Sequence, residues 1–287
     1  MKHVLCLFLI LVLSSVEGKM IVHGHRGSRA VKPENTLAAM AEALRIGVDV
    51  LEMDLVVTRD RIPVLSHEKI VNKDICQYED GRPVTENIPF ISLTLKEVKK
   101  FDCGTKPNLK FPKQIPVPGE KIPTLEEVFQ LVQKSKETSA KTVEFNIETK
   151  IEEDHPELSP PPEEFARLVL DIISKYDMKE RVILQSFDFR TLRAARAKMP
   201  ELRISTLVEG FFSNIVKIAR QEKPQFMSPD FGLLSAKKVS ELHNMGVKVV
   251  PWTLNKESEW RNAISWKVDG IITDDPEALL HYLKSQK

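Results

Sequence analysis

Glu52 and Asp54 stand two residues apart in Val-Asp-Val-Leu-Glu-Met-Asp-Leu-Val-Val, a stretch whose β-branched and apolar residues read as a strand. Successive strand side chains alternate faces, so both carboxylates point the same way, about 7 Å apart, and repel each other. A divalent cation is the economical means of holding them there. His25 and Arg26 end an earlier apolar segment, and His67 with Glu68 ends a short return segment. Glu148 closes a third strand, with Lys150 two residues on. Three carboxylates with no adjacent cysteine are hard oxygen donors, suited to Mg2+ or Ca2+ rather than zinc. Arg26 and Lys150 offer positive charge suited to the non-bridging oxygens of a phosphodiester. His25 and His67 bring imidazole, the side chain whose ordinary pKa suits the acid and base of such a cleavage.

Each of these residues has a plainer reading. A rim carboxylate commonly pairs with Lys or Arg, and a lone lysine is commonly a solvated surface residue. Asn35 reads as a helix N-cap and Glu34 as charge at the helix N-terminus, or both orient Arg26 or the metal. Gln185 and Ser186 either donate to substrate or satisfy backbone. Phe187 and Trp252 either wall a substrate pocket or belong to the core, which is the reading favoured for Phe187. His23 reads as a hydrogen-bonded interior residue, and Asn255 and Asp274 as loop-fixing residues. His155, His243 and His281 read as solvated.

The elements that must position these groups alternate regularly. Strands are expected at 20–25, 48–57, 142–148, 181–187, 202–208, 225–229, 247–253 and 270–273, each followed by a helical run. Asp60-Arg61 marks a turn before a return segment at 63–67. Thr124 with Glu127 is a capping-box start, and Gly47 a helix stop. Eight strand-then-helix units without a dinucleotide glycine pattern point to a (β/α)8 TIM barrel. The chemistry-bearing residues follow strand ends, the rim where such barrels build active sites. Residues 70–121 interrupt the rhythm as an insertion rich in proline and lysine, with a short helix at 95–101.

Several motifs carry a resemblance: His25-Arg26-Gly27, Pro33-Glu34-Asn35-Thr36, Glu52-x-Asp54, His67, Asn146-Ile147-Glu148-x-Lys150, Gln185-Ser186-Phe187, Trp252-Thr253-x-Asn255 and Asp269 to Asp274. In order and spacing the chain resembles the glycerophosphodiester phosphodiesterase family over nearly all of its length after residue 20. The resemblance implies metal-dependent hydrolysis of glycerophosphodiesters to sn-glycerol 3-phosphate and an alcohol. Glu52, Asp54 and Glu148 would hold Ca2+ or Mg2+, His25 and His67 would be acid and base in an order left open, and Arg26 and Lys150 would clamp phosphate. Glu34, Asn35, Gln185 and Trp252 complete the expected substrate site. The chain departs from the family at Arg61, where glycine is usual, and at Glu68, where aspartate is usual. Three rivals stand beside this reading: a lysophospholipase D on the same barrel, an aldolase-like barrel using Lys150 as a Schiff-base nucleophile, and a phosphodiester-binding protein without turnover.

The remaining features bound the setting. The formal net charge is +1, which argues against nucleic acid as a partner. Lys2, His3 and the apolar run 4–13 read as a signal peptide over residues 1–18, too short to span a bilayer comfortably. The barrel domain, 19–287, is then periplasmic or secreted, or cytoplasmic if translation starts at Met20. Cys76 and Cys103 would close a loop of about 27 residues in an oxidising compartment, or stay as free thiols. Oligomeric state is left open.

Overall fold

The computed structural model describes residues 19–286, so the expected leader, residues 1–18, lies outside the described residues. Eight strands, β1 (Ile21–Gly24), β2 (Val50–Val57), β3 (Glu144–Thr149), β4 (Val182–Ser186), β5 (Arg203–Val208), β6 (Phe226–Pro229), β7 (Lys248–Val249) and β8 (Gly270–Thr273), form one parallel sheet. Its order is β7-β6-β5-β4-β3-β2-β1-β8. The ends meet: the Asp269 N–H donates to the Val249 carbonyl (2.9 Å) and the Ile272 N–H to the Pro251 carbonyl (3.0 Å). The chain is therefore a (β/α)8 barrel. The expected seventh strand is shorter than 247–253 because Pro251 has no N–H to give a ladder, although Trp252 still bridges to Asp230.

Eight helices surround the sheet: α1 (Leu37–Ile46), α2 (Leu125–Lys134), α3 (Pro162–Lys175), α4 (Phe189–Lys198), α5 (Ile215–Glu222), α6 (Ala236–His243), α7 (Glu257–Ser265) and α8 (Pro276–Ser285). Local chemistry sets their ends. The Thr124 and Glu127 side chains bond each other's backbone N–H groups as a full capping box, and Gly47 takes the left-handed conformation (φ 85°) that closes α1. Thr36, not Asn35, caps α1, its hydroxyl accepting from the Ala39 N–H. Asn35 instead adopts φ 55°, which turns its side chain toward the barrel. Arg61 also has positive φ (64°), a strained position that glycine would occupy freely.

Two apolar layers lie between sheet and helices. Leu51, Met53, Leu55, Phe145, Ile147, Val182 and Leu184 face α1 to α4, and Val208, Met227, Val249 and Ile271 face α5 to α8. Because side chains alternate, the opposite faces of the same strands fill the barrel interior. That interior is polar: His23, Glu52, Asp54, Asn146, Glu148, Gln185, Ser205 and Ser228 are all buried there. In most such barrels branched aliphatic residues take these positions. Here the upper barrel is given over to chemistry.

The segment between β2 and α2 has a small core of its own. Val71, Cys76, Val84, Phe90, Val98, Phe101 and Cys103 pack with Val56 and Val64, and Cys76 is bonded to Cys103. Its helix is one turn, Leu95–Val98, because Phe101 and Asp102 pair as a strand with Gln77 and Tyr78. No helix among the described residues is long and apolar enough to cross a membrane.

Candidate active site

Register brings the acids together. In the β2 and β3 ladder Asp54 stands opposite Glu148 and Glu52 opposite Asn146, while Glu148 stands opposite Gln185 of β4. The ligand oxygens of Glu52, Asp54 and Glu148 come within 4.8 Å of one another, and all three residues are buried. Burial and the Asp54 charge push the Glu52 carboxyl well above its ordinary range. Burial, against the opposing pull of Lys150, raises Glu148 to about 7. Asp54 is held below the usual range despite burial, because Arg26 above all, then His67 and Lys150, favour its charge.

The supporting shell leaves these acids incomplete in a telling way. Glu52 accepts from the Arg26 backbone N–H (2.8 Å) and from Gln185 Nε2 (2.9 Å). Asp54 Oδ2 accepts from Asn35 Nδ2 (2.8 Å), yet Asp54 Oδ1 is buried with no hydrogen-bond partner. An orphaned anionic oxygen beside two carboxyls driven toward neutrality is what an oxygen-coordinated divalent cation would satisfy. The residues present therefore fit such an ion, with Glu52, Asp54 and Glu148 as its holders.

Both candidate imidazoles are oriented by carboxylates. His25 Nδ1 lies 2.6 Å from Asp274 Oδ1, and its Nε2 lies 3.9 Å from Glu52 Oε2. His67 Nδ1 lies 2.8 Å from Glu68 Oε1. A carboxylate only accepts, so Nδ1 carries the proton in each neutral ring and Nε2 is left with the lone pair. Burial, then Arg26, lowers the proton affinity of His25, and Asp274 only partly offsets this.

The cations take up intermediate positions. Arg26 has φ 50°, which folds its side chain back so that Nη1 bonds Glu34 Oε1 (2.8 Å) and Nε lies 3.1 Å from Asp54 Oδ2. Lys150 Nζ bonds Glu148 Oε1 at 2.8 Å. Burial would lower the Lys150 pKa, but Glu148 and Asp54 outweigh it and hold the ammonium charged. A Schiff-base lysine needs the reverse shift, which counts against the aldolase-like alternative.

His25, Arg26, Glu52, His67, Glu148, Lys150, Gln185 and Trp252 all line one open cavity of about 510 Å3 at the C-terminal end of the strands. Phe187 lines it too, edge-on to Trp252 with centroids 5.6 Å apart, rather than being given up to the core. Three residues of the expected substrate site are engaged with other side chains, Glu34 and Asn35 in line with the reading that they orient Arg26 or the acids. Glu34 is spent on Arg26 and Asn35 on Asp54. The Gln185 amide is consumed between Glu52 and Asn146, whose Nδ2 donates to Gln185 Oε1 (2.9 Å) and lies 3.4 Å from His23 Nδ1. A polar chain thus runs from His23 up to Glu52 and braces the acids.

Two site residues escaped sequence reasoning. Asp274 is more than a loop-fixing residue: it takes His25 and Arg29 on Oδ1 (2.6 and 2.8 Å) and Asn255 on Oδ2 (2.7 Å). Arg29, which also lines the cavity, was not singled out at all. The signal for Asp274 was available in barrel closure, which sets Gly24 opposite Thr273 and so places the next residues of β1 and β8 side by side.

With this geometry in hand, comparison with known proteins is decisive. The profile of the glycerophosphoryl diester phosphodiesterase family matches residues 25–278. The chain belongs to that family. Among family relatives, a glycerophosphodiester phosphodiesterase of Caldanaerobacter subterraneus subsp. tengcongensis is 33% identical over 267 residues, 93% of this chain and 98% of its own length. A human lysophospholipase D is 25% identical over 90% of this chain and 83% of its own. The crystal structure of a Silicibacter pomeroyi protein provisionally named glycerophosphoryl diester phosphodiesterase superposes with a TM-score of 0.87 at 27% identity, covering 94% of this chain and 96% of the other. The range matched by the family profile runs from the residue after β1 into α8 and takes in the segment between β2 and α2.

Proposed function

We propose that this protein hydrolyses glycerophosphodiesters to sn-glycerol 3-phosphate and an alcohol, using a divalent cation and a pair of histidines. One observation carries the proposal: a cluster of three buried carboxylates, two of which (Glu52 and Glu148) line the cavity, shares that cavity with two carboxylate-oriented imidazoles. Bound by Glu52, Asp54 and Glu148, a hard cation would polarise a phosphoryl oxygen as a Lewis acid. Lys150, and whatever of Arg26 is not committed to Glu34 and Asp54, face the remaining charge on the phosphoryl group. His25, whose proton affinity burial and Arg26 depress, enters neutral and takes a proton at Nε2 from the attacking water. His67, at the more open side of the cavity, acts as the imidazolium: its Nδ1–H stays on Glu68 and its Nε2–H protonates the departing alkoxide. Phe187 and Trp252 give the glycerol carbons an apolar wall.

The two carboxylate-oriented imidazoles also support catalysis over simple capture, since binding alone needs no such pair. Turnover of glycerophosphocholine, followed by a coupled glycerol 3-phosphate readout, tests the reading. His25→Ala and His67→Ala should each lower kcat by about 10^2- to 10^4-fold, the usual worth of a positioned acid or base. Full turnover in His67→Ala would remove the two-histidine assignment, and binding without product release would make the protein a capture module.

A further inference from the structure

All four large apolar residues that stand exposed among the described residues lie at the end of the barrel where the cavity opens. Phe211 and Phe212 are 91% and 97% exposed, on the loop after β5, and touch each other edge-on with centroids 5.6 Å apart. Glu209, at the base of the same loop, lines the cavity. Leu109 (92%) and Ile115 (60%) stand on the insertion. That part of the insertion is fastened to the loop after β1: Gln114 Nε2 donates to the Arg29 and Lys32 carbonyls, the Ile115 N–H donates to Val31, and Arg29 stacks on Phe111 at 4.6 Å. In an eight-stranded barrel β1 and β5 are diametrically opposed. The mouth is therefore flanked by apolar projections on two opposite sides.

We propose that these two loops dock the open end of the barrel on a zwitterionic lipid surface, so that the phosphodiester entering the cavity is one held in that surface. This rests on the phosphodiesterase reading above and names how its substrate is presented. Adjacent phenylalanines with bare faces are costly in water and have no role inside the protein, whereas an interface takes up their rings and leaves the backbone wet. The charge around the mouth selects the kind of surface. Lys110 and Lys113 are exposed beside Leu109 on a stretch with no acidic residue from 105 to 119, Lys113 reaching Asp275 at 3.4 Å, while Glu152, Glu153, Asp154 and Glu157 crowd the loop after β3, Glu152 paired with Lys69 and Glu153 with Arg190. A rim positive on one side and negative on another suits head groups that carry both signs, and gains nothing from a strongly anionic sheet. The corresponding reaction adds water across the bond between phosphorus and the head-group oxygen of a single-chain phospholipid. The head-group alcohol leaves with a proton, and the acylated glycerol keeps the phosphate as a monoester.

The test uses the full chain and phosphatidylcholine vesicles, with and without lysophosphatidylcholine. The protein should co-sediment with both, and Phe211→Ser and Phe212→Ser should each weaken partitioning on the order of tenfold, the worth of one ring moved out of water. Turnover of vesicle-held lysophosphatidylcholine should fall in parallel, while turnover of soluble glycerophosphocholine stays unchanged, which also shows that the variants fold. A wild-type chain that does not sediment, or a double variant that sediments like wild type, overturns the docking proposal. Self-association that disappears in the double variant, without vesicle binding, would assign the rings to a protein contact and overturn it as well. Absence of turnover on either substrate would sink the phosphodiesterase reading alone, because sedimentation still reports on docking.

Discussion

Lowering the pH should cost this barrel stability at one interior residue, His23. It is 2% exposed, its Nδ1 faces Asn146 Nδ2 at 3.4 Å, and burial drops its pKa from 6.5 to about 3. Above pH 6.5 the ring is neutral in both folded and unfolded chains and contributes no pH dependence. Below it, the unfolded ring takes up a proton that the folded ring refuses, so the unfolded state binds more protons and stability falls as pH falls. At 1.36 kcal/mol per unit, the loss is about 2 kcal/mol by pH 5 and approaches about 5 kcal/mol near pH 3. Carboxylates also titrate on the way down, so the measurement must be a difference. Urea unfolding of wild type and His23→Gln between pH 7 and 5 isolates the imidazole, because glutamine presents an acceptor to Asn146 without titrating. The variant should start less stable from imperfect packing and then lose about 2 kcal/mol less than wild type over that range. Parallel curves would mean that His23 is hydrated or charged in the folded barrel, contrary to its burial.

Asp274→Asn should leave the fold intact and lower kcat by about 10^2- to 10^4-fold, since an amide can hold His25 in the wrong tautomer; a changed KM with unchanged kcat would refute an orienting role. Cys76→Ser with Cys103→Ser should reduce stability to urea by about 3 to 4 kcal/mol, the loop-closure value for a separation of 27 residues. Adding Ca2+ or Mg2+ to chelator-treated protein should raise Tm and restore turnover together. At a hundredfold excess over Kd the gain is about 2.7 kcal/mol, and neutralising Asp54→Asn should abolish the Tm response. An ion that changes neither quantity would leave the acid cluster without its proposed occupant.

What could be read from the sequence followed from two periodicities. The two-residue alternation of β2 and β3 put Glu52, Asp54 and Glu148 on one face, and the strand-helix rhythm put that face inside a closed ring. Asn35 was harder, because it and Thr36 are both good caps. Only the backbone shows that Thr36 keeps α1 while Asn35, with positive φ, serves Asp54. Arg29 and Asp274 were out of reach of local pattern, since one lies in an irregular loop and the other is 249 residues from its histidine. The Cys76 to Cys103 bond was similarly open, because spacing alone allows pairing without requiring it.

The polar interior explains why so many of these residues are needed. Three acids gathered in a buried space repel, and burial adds to the cost of each charge. Glu52 is anchored by Gln185 and the Arg26 amide, Gln185 by Asn146, and Asn146 reaches His23. On the other side, Arg26 is anchored by Glu34, and Asp54 by Asn35. Every polar group in that chain removes one rotameric escape for the acids, so the repulsion cannot relax by side chains turning away. Among the three carboxyls, the buried oxygen left without a donor is Asp54 Oδ1, while the neutral amide oxygen of Asn146 in the same chain also lacks one. An amide oxygen is neutral and a carboxylate oxygen is not, so the stronger unmet demand is the one at Asp54, and that demand is for positive charge.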